Sequence, residues 1–245
     1  MLRWTLKMNK KAIVFAPHPD DETLGCGGTI ARRLSEGYEV FVVFMTDGRH
    51  ALAEFGISSA PTPFEMKGMR REDALRATKI LGLQEKNLFF LDFEDRTLEK
   101  HEGLVQEIIL QILKDVSPVE VFFPQEREYN IDHRVTNMII RRAIDVSNLH
   151  PIEYRYAIAW SFPLYLLIHV MNECTFDLIS SKLLEGDLIN VDISKFLPLK
   201  EMAIREYKSQ ITVLSSGQKR PALKRSFLKR FLKNEEKFFV NTSGV

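Results

Sequence analysis

The chain is predicted to fold as an α/β domain with a parallel sheet and helices on both faces. Three observations carry that expectation. Short apolar runs rich in β-branched and aromatic residues recur between Gly, Pro and polar residues, longer stretches with helical periodicity separate them, and the two kinds alternate as far as Val146. A length of 245 residues with 45% hydrophobic and 27% charged side chains suits one well-buried core, so residues 1–245 are read as a single domain.

Ala12 to Ala16 is the first buried strand. The charged Lys7-Met8-Asn9-Lys10-Lys11 precedes it, and five apolar residues are too few for the core of a signal peptide. Residues 1–10 read as a disordered extension, with Met8 as an alternative start. Leu24 to Ser35 has helical spacing and leads to a strand at Glu39 to Met45. A helix over Met66 to Leu81 is stopped by Gly82, and a strand follows at Asn87 to Leu91. The helix Leu104 to Asp115 ends before Pro118, and Glu120 to Phe123 is the fourth strand. A helix from Asp132 to about Val146 and an aromatic stretch, Tyr154 to Tyr165, complete the regular pattern. Phe196 to Gln210 and Pro221 to Phe239 look helical, with Gly217 between them. Over 219–240, Lys219, Arg220, Lys224, Arg225, Lys229, Arg230 and Lys233 alternate with Leu223, Phe227, Leu228, Phe231 and Leu232. This spacing predicts a basic amphipathic C-terminal helix that packs on its own domain, with peripheral membrane contact as the alternative.

A formal charge of +1 gives no reason to expect nucleic acid. Two cysteines, Cys26 and Cys174, make neither a disulfide framework nor a zinc knuckle, and a reducing cytoplasmic setting is expected. No run approaches the roughly 20 apolar residues that span a bilayer.

In such sheets functional residues gather at the carboxyl ends of strands. Directly after the first strand comes Ala16-Pro17-His18-Pro19-Asp20-Asp21-Glu22. A hydrolytic zinc site takes three His or carboxylate ligands and leaves a position for water, while a nearby carboxylate outside the ligand set accepts a proton. This one turn offers two ligands and a base. The alternative, that the acidic residues only cap the helix beginning near Thr23, leaves His18 unexplained. A third ligand has to come from another strand's carboxyl end. His133, just past the strand Glu120 to Phe123, is the best candidate, against the alternative of a surface histidine near a helix start.

The string Ala16 to Gly28 resembles the signature of the LmbE/PIG-L family of metal-dependent de-N-acetylases. The likeness extends to Thr46-Asp47-Gly48, Arg70-Arg71-Glu72-Asp73-Ala74 ahead of Leu81-Gly82, Asp132-His133, and Lys200-Glu201-Met202-Ala203 with Tyr207-Lys208-Ser209-Gln210. It covers roughly residues 11 to 211. The resemblance implies a Rossmann-like three-layer α/β/α fold with a mostly parallel sheet. It also implies that His18, Asp21 and His133 bind zinc, with Fe2+ or Co2+ as other ions, and that Asp20 is the general base. The implied substrate is a small-molecule or carrier-linked N-acetyl sugar of the GlcNAc type. An anionic membrane surface and a second copy in a homo-oligomer are the other partners considered.

The family often carries a histidine three residues before the metal-binding one, credited with oxyanion stabilisation or protonation of the leaving amine. Here that place is Asn130, an amide that donates a hydrogen bond and shuttles no proton. Asn130 is expected to share the oxyanion with the metal while Asp20 returns the proton. Arg70 stands where the family has a substrate-positioning arginine, with Arg71 as the close alternative and a solvated helix face as the other reading of both, and Asp47 at the end of the second strand is expected to meet sugar hydroxyls or cap a turn. Gly25, Gly27 and Gly28 miss the dinucleotide-binding spacing, and three acidic residues upstream would repel a pyrophosphate. Cys26 reads as a small buried residue. His50, His101, His150 and His169 show no pairing that brings them to the site, and Trp160 to Tyr165 either line the cleft or fill core. The expected activity is therefore removal of an acetyl group from an N-acetylated amino sugar. A non-sugar amide substrate, or a metal-containing sugar-binding module without turnover, is the alternative.

Overall fold

A computed structural model of the chain describes residues 10–53, 56, 61–159 and 186–240. Among these, seven strands form one sheet: β1 (Lys11–Ala16), β2 (Glu39–Thr46), β3 (Leu88–Phe93), β4 (Glu120–Pro124), β5 (Ile152–Tyr156), β6 (Asp187–Asp192) and β7 (Glu235–Val240). Their order is β3-β2-β1-β4-β5-β7-β6. The first five pair in parallel, and β7 runs antiparallel to both β5 and β6. The expected mostly parallel α/β/α sandwich is the fold observed.

Alternation along β1 shows how the layers are filled. Ala12, Val14 and Ala16 face a cluster that includes Leu24 and Ile30 of α1 (Asp21–Ser35), Ala74 and Ala77 of α2 (Pro63–Ile80), and Ala203 and Ile204 of α5 (Leu197–Glu206). Ile13 and Phe15 face the opposite cluster, with Val105, Ile109 and Leu113 of α3 (Glu102–Val116) and Ile139, Ile140 and Ala143 of α4 (Ile131–Ser147). Both faces of β1 are therefore dry, which is why it reads as a continuous apolar run. Helix α2 starts three residues before the apolar pattern suggests. A capping box sets that start: Thr62 Oγ1 accepts from Glu65 N, Glu65 Oε2 accepts from Thr62 N, and Pro63 opens the first turn. The glycines of α1 permit close packing. A Cβ on Gly25 would lie 2.6 Å from the Tyr156 ring, and one on Gly28 would lie 2.4 Å from Ile193 Cδ1.

The expected basic helix over 219–240 is corrected by the structure. That segment contains only the single turn α7 (Arg225–Leu228), followed by β7. Two physical reasons account for it. The i,i+4 pairs Arg220/Lys224, Arg225/Lys229 and Lys229/Lys233 are like-charged with no acidic residue among them, which opposes a helix. The exposed edge of β5 meanwhile gains a partner from Glu235–Val240, which buries Phe238, Phe239 and Val240. Leu223, Phe227, Phe231 and Leu232 pack against the core, so the apolar face on which a membrane contact rested is turned inward. The helix expected over Phe196 to Gln210 breaks at Tyr207 into α5 and α6 (Lys208–Ile211). Strand β6, short and only partly apolar, went unrecognised. Trp160 to Tyr165, His169, Cys174 and the extension before Lys10 lie outside the described residues. Among the described residues no helix is long and apolar enough to cross a membrane.

Candidate metal centre

Strands β1 and β4 are neighbours, and the helices that follow them, α1 and α4, pack on opposite faces. The loops leaving their carboxyl ends therefore lie at the switch point of the sheet, where such folds place their sites. His18, Asp20 and Asp21 stand at one lip, and His133 stands in the first turn of α4 at the other. Asp21 Oδ2 lies 3.1 Å from His18 Nδ1 and 3.1 Å from His133 Nε2, and the two ring nitrogens are 3.2 Å apart. A carboxylate backs each imidazole: Asp132 Oδ2 is 3.2 Å from His18 Nε2, and Glu128 Oε2 is 3.6 Å from His133 Nδ1.

This donor set fits a divalent cation. Zinc bonds to nitrogen and oxygen of about 2.0–2.2 Å put tetrahedral ligand atoms roughly 3.3 Å apart, close to the three separations observed. Among the described residues, His18, Asp21 and His133 are the one group of His, Cys, Asp and Glu side chains whose ligand atoms converge in this way. His133 Nδ1, on the ring edge away from the ligand atoms, is buried without a hydrogen bond, with the Glu128 carboxylate 3.6 Å away.

The match to a family model is equally specific. The PIG-L model, described as GlcNAc-PI de-N-acetylase, matches residues 13–144, more than half of the chain, and takes in the whole donor set. The chain belongs to the PIG-L family. Among curated relatives, the diacetylchitobiose deacetylase of Thermococcus kodakarensis is 31% identical over 57% of this chain and 51% of its own length. The chain thus spans about half of that enzyme. A probable N-acetyl-alpha-D-glucosaminyl L-malate deacetylase 2 of Bacillus anthracis is 26% identical over 84% of this chain and 91% of its own. Two solved structures share the fold. The N,N'-diacetylchitobiose deacetylase of Pyrococcus horikoshii superposes with a TM-score of 0.67 at 20% identity, covering 98% of this chain and 86% of that one. The 4-carboxy-2-hydroxymuconate hydratase of Pseudomonas putida does so with a TM-score of 0.65 at 18% identity, covering 95% of each. This fold therefore carries more than one named reaction, and the site has to decide between them.

Asp20 occupies the N-cap position of α1, yet its side chain makes no capping hydrogen bond. The capping alternative fails for this residue. Its backbone sits at φ 136°, a strained conformation for an L residue, and two buried neighbours hold it there. Arg70 Nη2 lies 3.1 Å from Asp20 Oδ1 and also donates to the Pro19 carbonyl, while Glu22 Oε2 accepts from Asp20 N at 3.1 Å. Arg70, expected to meet substrate, is 4% exposed and commits its guanidinium to the loop that carries Asp20. Asp47, expected to meet sugar hydroxyls or cap a turn, does the latter: it accepts from Arg49 N at 3.1 Å. It is buried and pairs with Arg49 Nη2 at 2.5 Å and Lys67 Nζ at 3.5 Å. Asn130 is the N-cap of α4, its Oδ1 accepting from Asp132 N at 2.8 Å. Tyr129, beside it, is 71% exposed.

Sequence reasoning missed three supports of this PIG-L site. Glu22 is fully buried, takes hydrogen bonds from the hydroxyls of Thr23 and Tyr207, and is pushed up to about 7 by burial. Lys200 and Glu236 form a buried pair at 2.6 Å that grips α1: Lys200 Nζ donates to Leu24 O, and Glu236 accepts from Gly28 N and Thr29 N. Glu128 is the third. The Tyr207 and Lys200 motifs were visible as part of the resemblance, but nothing local in the sequence says which buried carboxylate each would meet.

Burial by itself would lower both imidazole pKa values, but the surrounding carboxylates outweigh it. Hydrogen bonds to Asp132 and Asp21 raise His18 to about 9, and Asp21 with Glu128 raises His133 to about 10. Burial opposes ionisation of Asp21 as well, yet His133 and His18 hold its carboxyl well below the usual range. Without a cation, protons therefore occupy the ligand nitrogens at neutral pH. An entering ion has to displace them, so apparent affinity is lost as pH falls and gained as pH rises toward the two raised values. Zinc titrations between about pH 6 and 8 are expected to show affinity climbing by up to roughly two log units per pH unit, with matching proton release. A pH-independent affinity would show that the imidazoles are neutral before the ion arrives.

Proposed function

We propose that the chain is a metal-dependent hydrolase that removes the acetyl group from an N-acetylated amino sugar of the GlcNAc type, free or joined to a carrier. The observation that supports this best is the Asp20 carboxylate beside the convergent His18, Asp21 and His133. The relatives named as deacetylases of GlcNAc-containing compounds supply the substrate class. Zinc is the proposed ion, and Fe2+ or Co2+ suits the same imidazole and carboxylate set.

A bound ion supplies Lewis-acid polarisation of the acetamide carbonyl and acidifies water. His18, Asp21 and His133 would hold that ion through the three ligand atoms that converge. Burial, partly offset by Arg70, raises the Asp20 carboxyl to about 6, close to the range in which a base works at neutral pH. Asp20 takes a proton from the attacking water as the new C–O bond forms. Asn130 Nδ2 donates to the carbonyl oxygen as it gains negative charge. With amide chemistry at position 130, the proton on Asp20 is the one delivered to the departing nitrogen when the C–N bond breaks. Acetate and a free amine leave.

Metal-replete protein supplied with a panel of N-acetylamino sugars is expected to release acetate and primary amine in equal amounts. No release, together with no metal retained on purification, would rule the proposal out. Asn130 motivates a second reading, a metal-containing sugar-binding module without turnover. Stoichiometric metal and saturable sugar binding, with neither acetate nor amine formed, would favour it. A non-sugar amide substrate would instead appear as a mass loss of one acyl group in a metabolite mixture incubated with the protein.

A further inference from the structure

The loop between β4 and α4 carries a second carboxylate aimed at the centre, from the side away from the ligand atoms. Glu128 is fully buried, five residues before His133. Its Oε1 accepts from Ile158 N at 2.8 Å and from Gln125 Nε2 at 3.3 Å. Its Oε2 accepts from Ala159 N at 2.7 Å and faces His133 Nδ1 at 3.6 Å. The same two loops are tied again where Tyr129 N donates to Ala159 O and Gln125 N to Tyr156 O. Glu128 is thus held by the loop after β5 and directed at a ligand carried by α4.

Charge gives this placement a purpose. A buried carboxylate needs a counter-charge, and among the described residues the ion-pair partner of Glu128 is His133. An imidazole that binds an ion through Nε2 keeps its proton on Nδ1, and a carboxylate behind that N–H fixes the tautomer and makes the ring a stronger ligand.

We propose that Glu128 is a positioning residue for the metal centre. It orients His133 and strengthens its hold on the ion, and it makes the backbone of Ile158 and Ala159 sense whether the ion is bound. The inference rests on the metal-centre reading above and adds a dependence that reading does not require.

Zinc affinity of the full chain, measured by competition with a chelator, tests it in the parent, Glu128→Gln and Glu128→Asp. Glutamine keeps one acceptor oxygen for the loop amides, sets an Nε2 donor against the other, and removes the charge. The expected result is zinc binding about 10- to 100-fold weaker in the Gln variant, with part of the loss recovered by Asp. The metal-free Gln variant is expected to melt somewhat below the parent, for the one loop amide left unpaired, and zinc affinities are compared at a temperature where both are folded. In a His133→Ala background the Gln substitution should change zinc affinity no further, because its route to the ion is gone. Zinc should also slow hydrogen exchange at the Ile158 and Ala159 amides of the parent and leave those of the Gln variant unchanged.

Equal zinc affinity in the folded parent and Gln variant overturns the inference while leaving the metal centre intact. Failure of the parent itself to bind zinc overturns both. Should the Gln variant not fold, the Asp variant carries the comparison: several-fold weaker binding supports the inference, and equality with the parent overturns it.

Discussion

Asp20→Asn is expected to reduce kcat by about 10²- to 10⁴-fold, the contribution typical of a positioned proton-transfer group, while zinc stays bound at one equivalent. Asparagine has the same shape and cannot take the proton. Asp20 makes no capping bond that the change would disturb, and its backbone is held from outside by Glu22 and by Arg70 on the Pro19 carbonyl. The strained φ of 136° should therefore survive the substitution. The loss should fall on kcat with KM little altered, since the carboxylate acts when the proton moves. A kinetic comparison on the best substrate of the panel, alongside metal analysis of the same preparation, separates the outcomes. A variant as active as the parent would remove Asp20 from the chemistry, and one that loses zinc would make it a ligand.

His133→Ala is expected to weaken zinc binding by at least about 10²-fold, beyond what loss of an outer partner such as Glu128 costs. Two of the three short separations in the centre end on His133 Nε2, so its removal leaves His18 and Asp21 as a two-point site. The effect reaches stability by mass action. An ion held at about 100 times its Kd adds about 2.7 kcal/mol to the folded state, a rise in melting temperature of roughly 5–10 °C for a chain of this size. The parent should show that rise when zinc is added, and His133→Ala should not. Thermal melts with and without zinc, repeated with Asn137→Ala on the same helix to control for general damage to α4, read the difference directly. A full zinc-dependent rise in the His133→Ala protein would place the third ligand elsewhere.

The two expectations draw on different levels of information. The strand at Ala12 to Ala16, the alternation up to α4 and the ligand-bearing turn were legible because each is local. Burial on both sheet faces forces a run of apolar residues, helical burial forces a period, and a metal turn needs certain side chains within a few positions of one another. The segment 219–240 was misread because its helical period is also local, whereas the unfilled edge of β5 that claims Glu235–Val240 is not.

What the amino-acid sequence determined by itself, then, is the layered α/β fold and the chemical identity of the donors at the carboxyl end of β1. Only the tertiary structure decided the rest. It brought His133 to within 3.2 Å of His18 Nδ1, and it turned Arg70 onto the Asp20 loop. It locked Asp47 to Arg49, and it set Glu128 and Glu22 as buried carboxylates behind the site. The physical reason is that most of these contacts join residues far apart in the chain, and even the nearer ones depend on which groups lose their water. Their geometry is fixed by the divergence of α1 and α4 at the β1/β4 boundary and by the demand that every charge buried there find a partner.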